Sequence, residues 1–372
     1  MKKIEQIILH ESPHSDELLS FILLRQFGEK MFPGVTTARV TPFSAGLLKE
    51  GDLPENIIAL GTGKGMFDEH GKSNYTCAAV LVAEKLGIDK NLSLVKILAQ
   101  TLQEDRHGSS VKNEIPAIVK ILHMAKFSLK EVLSWYETIF WAEFAKEENN
   151  PSIGELTPTT LESGYELVKA YAGEDKAGEW KALADLAIEK RQELFVKAKK
   201  HFQHHGKRQT LNTEDFGPLQ IGFIELGNDD FAVVMNSAAR FCKIEFFVQK
   251  NSEGNIQIFT DSKLKINLTN LARNIRVAEA KKRGVKIKSI QTIAMEGTHS
   301  EVPMWHLLEG ACSMLFNGSL SATMIEPTAL TPCELLEIIK ETFIRKEKGF
   351  PVDPMAFKSS RATCELEGSF AK

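Results

Sequence analysis

The chain has no CxxC pair. Its five cysteines, Cys77, Cys242, Cys312, Cys333 and Cys364, are scattered and odd in number. That spacing argues against a zinc ribbon or a disulfide framework, and a reducing, cytoplasmic setting is the simplest expectation. No apolar run is long enough to cross a bilayer. The run that follows Lys2 and Lys3 is too short for a signal peptide. A charge excess is missing as well. The net charge is -3, so the global balance points neither to nucleic acid nor to an anionic membrane, and no membrane partner is expected. Internal repeats and low-complexity tracts are absent. What is present is ordinary for a globular protein: 372 residues, 43% hydrophobic and 26% charged, long enough for two domains.

The most informative stretch is Ile4 to Ser20, IEQIILHESPHSDELLS. Residues 4–10 read as a buried strand that ends at His10. A short polar turn leads to His14, Asp16 and Glu17, and then to a helix carrying Leu18, Leu19, Phe21, Ile22, Leu23 and Phe27. Ser12, Ser15 or Asp16 would serve as an N-cap, and Glu17 would suit the positively polarised first turn. Capping needs neither histidine. Side chains able to bind a metal or move a proton are gathered at a strand-to-helix turn, where α/β sheets place their ligands.

Thr36 to Phe43 and Asn56 to Leu60 read as two further strands, so a largely parallel sheet is expected. The second enters Gly61-Thr62-Gly63-Lys64-Gly65, which lacks Walker A spacing and reads as a tight turn. It carries the chain to a second polar cluster, Asp68-Glu69-His70, whose burial would demand partners or a metal. Tyr75 to Leu86 reads as a small-residue helix. Leu92 to Leu102 reads as another, ending in Gln103-Glu104-Asp105-Arg106-His107-Gly108. Acidic residues at that end oppose the helix dipole.

Helices are expected through 115–203. His201, His204 and His205 close that run; their spacing permits a metal, but a basic helix C-terminus explains them more simply. Composition shifts at 206–213, read as a domain boundary. Strands are expected at 219–226, 231–236, 244–249 and 256–260, the last two joined by the hairpin signal NSEGN. Residues 267–283 read as a basic helix with Arg273, Arg276, Lys281, Lys282 and Arg283. Ser289 to Met295 reads as a strand, Trp305 and His306 open an apolar segment containing Gly310, and Pro332 to Arg345 reads as a closing helix.

The polar clusters fall into one order: His10-x-x-Pro13-His14-x-Asp16-Glu17, Gly61-x-Gly63, Asp68-Glu69-His70, then Asp105. Over residues 1–125 this order resembles the DHH phosphoesterase superfamily, most closely its Myg-type branch (the melanocyte-proliferating-gene family of DHH-like exonucleases). The resemblance implies an α/β protein in three parts. Residues 1–125 would form a DHH-like parallel-sheet domain, 126–205 a helical connector, and 206–372 a smaller substrate-binding α/β domain. It also implies metal held by His10 and His14 on one side and by Asp16, Asp105 and Glu69 on the other. Asp68 and His70 would take catalytic roles, His70 facing the substrate phosphate. Two departures stand out. Gly61 occupies the position where the family carries a metal-bridging aspartate, and Glu69 replaces a ligating histidine. Asp68 or Glu69 is then expected to supply the missing carboxylate.

An oxygen-rich set without thiolates suits Mn²⁺, with Mg²⁺ or Zn²⁺ as alternatives. The expected activity is hydrolysis of a phosphodiester in single-stranded RNA or DNA or in a short oligonucleotide. Arg273 and Arg276 on the basic helix, with His306 and Gly310, are the substrate-binding candidates. A binding protein that has lost turnover is the competing expectation, favoured by Gly61 and Glu69. An inorganic pyrophosphatase is disfavoured, because the intact DHH triplet is missing.

Overall fold

A computed structural model of the chain describes residues 2–44, 53–63, 65–69, 75–108, 111, 113–151, 156–227, 229–308, 312–318, 322 and 324–344. His70 and Gly310 lie outside the described residues, as do Lys64 and Cys364. The fold is mixed α/β. Ten α-helices accompany a three-stranded and a seven-stranded sheet among those residues. Two compact units divide near residue 192.

In the first unit, β1 (Gln6–His10) lies between β2 (Arg39–Phe43) and β3 (Ile57–Ala59), all parallel, with Ile8 opposite Thr41 and Ala59. Parallel strands need covered faces, which explains why Ile7, Ile8 and Leu9 are all buried. α1 (Ser15–Phe27) follows directly. It is buried from Ser15 to Leu24, as expected of a helix enclosed on all sides. α2 (Ala78–Leu86) packs on α1 through Ala79, Val82 and Ala83, and α3 (Leu92–His107) packs beside them.

The same core continues through α4 (Ile115–Met124), α5 (Leu129–Asn149), α6 (Leu161–Ala172) and the first half of α7 (Glu174–His205). Trp135 and Trp180 stack with ring centroids 4.8 Å apart. Each indole N–H donates to the other residue's carbonyl, at 2.9 and 3.0 Å, so both large rings are buried with their donors satisfied.

The second unit is built on the sheet β4-β5-β6-β7-β10-β9-β8. Its strands are β4 (Lys207–Thr213), β5 (Gly217–Glu225), β6 (Phe246–Lys250), β7 (Ile256–Thr260), β8 (Gly297–His299), β9 (Val302–Leu307) and β10 (Met314–Phe316). Only β5 and β6 pair in parallel. A parallel step needs a crossover, and the chain makes it through a 3-10 turn (Asp230–Val234) and α8 (Met235–Phe241). The expectation of a strand at 231–236 is therefore corrected. Val234 is buried within that helical crossover. Residues 289–295 likewise form a 3-10 turn (Thr292–Ala294), not a strand. The polar stretch at 206–213 is β4, the edge strand paired with β5, where polar composition protects an open edge. α9 (Thr269–Lys282) and α10 (Pro332–Ile344) cover one face of the sheet through Leu271, Ile275, Leu335 and Ile339.

Candidate metal centre

β1 delivers His10 to the carboxyl edge of the parallel sheet, and α1 begins five residues later. The turn between them is held from below, where the His123 ring on α4 lies 3.1 Å from the Pro13 carbonyl oxygen through Nε2. Nε2 carries the proton in that bond, and burial lowers the His123 pKa, so the ring donates as a neutral imidazole. No sequence signal marked this residue.

Glu17 organises the turn. One carboxylate oxygen, Oε1, sits 2.8 Å from His10 Nδ1 and accepts the His10 backbone N–H at 3.1 Å. The other, Oε2, accepts the His14 backbone N–H at 2.8 Å. Burial alone would raise the Glu17 pKa, but the adjoining His10 charge and hydrogen bond outweigh it, and the pKa lies below the ordinary carboxylate value. Glu17 also lies against Gly61, at the end of the strand edge where β3 stops. Gly61 has φ +62°, and a Cβ there would stand 3.0 Å from Glu17 Cγ and 3.3 Å from Oε1. The carboxylate that lies where a Gly61 side chain would project comes from α1, while Glu69 joins Asp16 and Asp105 in one candidate donor set.

Asp16, one residue earlier, is buried. Burial first, then the charges of Asp105, Glu17 and Glu69, push its pKa well above the usual value. Asp105 arrives on the last turn of α3, which continues past Leu102 to His107. That turn is clamped: Arg106 donates through both Nε and Nη2 to the Thr76 carbonyl, and the Tyr75 hydroxyl lies 2.9 Å from His107 Nε2. Glu69 is brought in beside β3, where the Gly61 N–H donates to the Phe67 carbonyl at 2.9 Å.

The donor atoms form two overlapping sets. His14, Asp16 and Glu17 each place one ligand atom within 4.8 Å of the others, and so do Asp16, Glu69 and Asp105. Asp16 belongs to both. Of the predicted metal residues, His14, Asp16, Glu69 and Asp105 thus come together. His10 belongs to neither set and is bound to Glu17 instead. Asp68, predicted as catalytic, is buried beside the site but in neither set. Glu17 is the addition; its place in the Asp-Glu pair was the available signal, masked by the fit of a glutamate to any helix start.

His14 keeps part of its ring in solvent, yet the surrounding protein lowers its pKa to about 4, so it is neutral and able to ligate near pH 7. Cys77 is buried nearby. Burial first, then Asp16, Asp105 and Glu69, push its thiol pKa up, and it belongs to neither donor set. Besides His10 beside Glu17, the Arg106 guanidinium approaches the carboxylates, with Nε 3.9 Å from Asp105 Oδ2. Four carboxylates and an imidazole converging without a thiolate fit a hard divalent cation, which would relieve the repulsion that Asp16 feels.

A cavity of about 70 Å³ is lined by Thr101, Glu104, Tyr136, Phe140 and Glu143. None of the metal-donor residues lines it. It is therefore not the metal centre.

The second unit places the predicted substrate contacts differently. Arg276 is fully buried. Its guanidinium donates to the carbonyls of Trp305 (2.9 and 3.3 Å), Ile293 (2.8 Å), Met295 (2.7 Å) and Gly297 (2.5 Å). It ties the 293–297 segment and β9 to α9, which corrects its assignment as a phosphate contact. Arg273 is half-buried, with Nε 3.4 Å from Asn274 Oδ1. Lys282 pairs with Glu334 at 2.6 Å, and Arg283 with Glu279 at 2.6 Å and Glu326 at 2.5 Å. Much of the basic helix is thus neutralised within its own unit. His306 is half-buried on β9.

No family model matches the chain, and no curated protein matches it. Among solved structures, an uncharacterized protein from Helicobacter pylori G27 is aligned over 91% of this chain and 99% of its own, at 10% identity and a TM-score of 0.26. A similarity that low carries no argument about fold or function. No helix among the described residues is long and apolar enough to cross a membrane.

Proposed function

We propose that the chain is a divalent-metal-dependent phosphoesterase of the DHH type, cleaving phosphodiester bonds in single-stranded nucleic acid or short oligonucleotides. The observation that carries this reading is the pair of donor sets sharing Asp16 at the carboxyl edge of a parallel sheet. His14, Asp16 and Glu17 would hold one divalent ion and Asp16, Glu69 and Asp105 a second, with Mn²⁺ the first candidate and Mg²⁺ or Zn²⁺ as alternatives. Bound there, the metal would polarise a phosphoryl oxygen and lower the pKa of a water. Glu17 fixes the His10 ring through Nδ1. His14, held neutral, offers a ring-nitrogen lone pair to a metal.

The test is hydrolysis of bis(p-nitrophenyl) phosphate and of a short single-stranded oligonucleotide, with and without Mn²⁺. The reading expects metal-dependent release of product that Asp16→Asn abolishes. A second reading, a binding protein without turnover, is favoured by Glu69 standing where the family places a ligating histidine. Tight Mn²⁺ uptake with no hydrolysis of either substrate would decide for it.

A further inference from the structure

α7 ends at His205 and carries three histidines in its final turns, His201, His204 and His205. A helix C-terminus gains from a side-chain donor near its open carbonyls. His204 fills that role. Its Nδ1 donates to the Lys200 carbonyl at 2.6 Å, one turn back on the same helix. The capping explanation therefore uses one ring and leaves two over. Neither the His201 ring nor the His205 ring has a hydrogen-bond partner among the described residues.

Those two rings form a pair. His201 and His205 are four residues apart and so share one face of the helix. Their centroids stand 4.6 Å apart, with the ring planes inclined at 41°. His204 lies further off, 6.4 Å from His205. The inner ring, His201, is half-buried against Phe231, with centroids 5.0 Å apart. The outer ring, His205, is exposed. All of these residues belong to the second unit. The pair is thus backed by Phe231 on one side and open to solvent on the other. Burial first, then the charge of His205, lowers the His201 pKa, so this ring is neutral near pH 7 and has a lone pair to offer. Asp229 acts in the opposite sense, and no lysine or arginine is among the charges acting on the ring. Two imidazoles, a carboxylate charge and the negatively polarised end of a 32-residue helix suit a cation, not an anion.

We infer that His201 and His205 form a binding site for a borderline divalent transition-metal ion, Zn²⁺ first. Histidines at i and i+4 are how a single helix face presents two imidazole ligands to one zinc. The two rings and the Asp229 carboxylate do not all come within 4.8 Å of one another. The site therefore has two protein ligands, with water in its remaining positions and Asp229 adding charge only. Its donor chemistry separates it from the acidic centre: imidazole nitrogens favour Zn²⁺ over Mn²⁺, whereas the oxygen-rich sets suit Mn²⁺. A bound ion clips together the last turns of α7, where the chain enters β4 at Lys207. The inference is independent of the phosphoesterase reading.

The test is a Zn²⁺ titration of the full chain, comparing wild type with His201→Gln, His204→Gln and His205→Gln. Zinc taken up by the acidic sets is common to all four proteins and cancels in the comparison. His201→Gln and His205→Gln are each expected to bind one Zn²⁺ fewer per chain than wild type, and His204→Gln to bind the wild-type number. Histidine ring NMR of wild type locates the ion, which should shift the His201 and His205 signals most. Should His201→Gln fail to fold, the variant at the exposed His205 decides alone. A wild-type zinc count in His205→Gln overturns the inference, and so does loss of the same zinc in His204→Gln.

Discussion

The Glu17 side chain occupies the space in front of Gly61: a Cβ at that glycine would sit 3.0 Å from Glu17 Cγ and 3.3 Å from Oε1. A carboxylate from the first turn of α1 therefore fills the space into which a side chain at the end of β3 would project. One helix start supplies Asp16 to both donor sets, and through Glu17 it also fixes His10 and the backbone of His14.

Gly61→Asp is accordingly expected to crowd the site and not to add a ligand. The left-handed backbone and the contact with Glu17 together should cost about 1–3 kcal/mol in urea denaturation. In a Glu17→Ala background the obstructing carbons are gone, and the same change should cost only the backbone strain, about 1 kcal/mol. The double variant should also regain Mn²⁺ affinity that Glu17→Ala alone loses. Strict additivity of the two changes would show that they do not share the space.

His14 yields a pH prediction. Its folded-state pKa, about 4, lies below the ordinary 6.5, so the unfolded chain takes up the proton first. The stability it contributes is present above pH 6.5 and is lost as pH falls toward 4. Urea titrations of metal-free wild type and His14→Gln should therefore converge as pH falls through that window. The shift of Asp16 has the opposite sign, but it is common to both proteins. A histidine ring NMR titration should place the His14 midpoint near 4; a midpoint at the ordinary value would contradict the crowding of the ring.

Arg276→Met is expected to destabilise the second unit by about 3–5 kcal/mol, because it leaves three buried carbonyl groups and a part-buried one without their donor. Mn²⁺ content should stay at the wild-type value. Wild-type stability in this variant would mean that the guanidinium is not a structural tie.

Much of the first unit was legible in the sequence, because its signals are local. A continuous apolar run, a polar turn and an amphipathic segment defined β1 and α1, and NSEGN marked the β6–β7 hairpin. The errors came where tertiary contacts decide. Phe231 to Val234 has strand composition but serves as a crossover, since β5 and β6 run parallel. Arg276 sits among basic residues, and only the fold shows it turned inward. The turn around Asp16 showed His14, Asp16 and Glu17 as able to bind a metal, and the order of the clusters added Glu69 and Asp105. The contact between Glu17 and Gly61, distant in sequence, was not legible.

The most direct measurement is the number of Mn²⁺ ions bound per chain, by elemental analysis of dialysed protein, in wild type, Asp105→Asn and Asp16→Asn. Because Asp16 belongs to both donor sets and Asp105 to one, the expected counts are two, one and none. An Asp16→Asn protein that stays folded and retains the wild-type count would contradict the account.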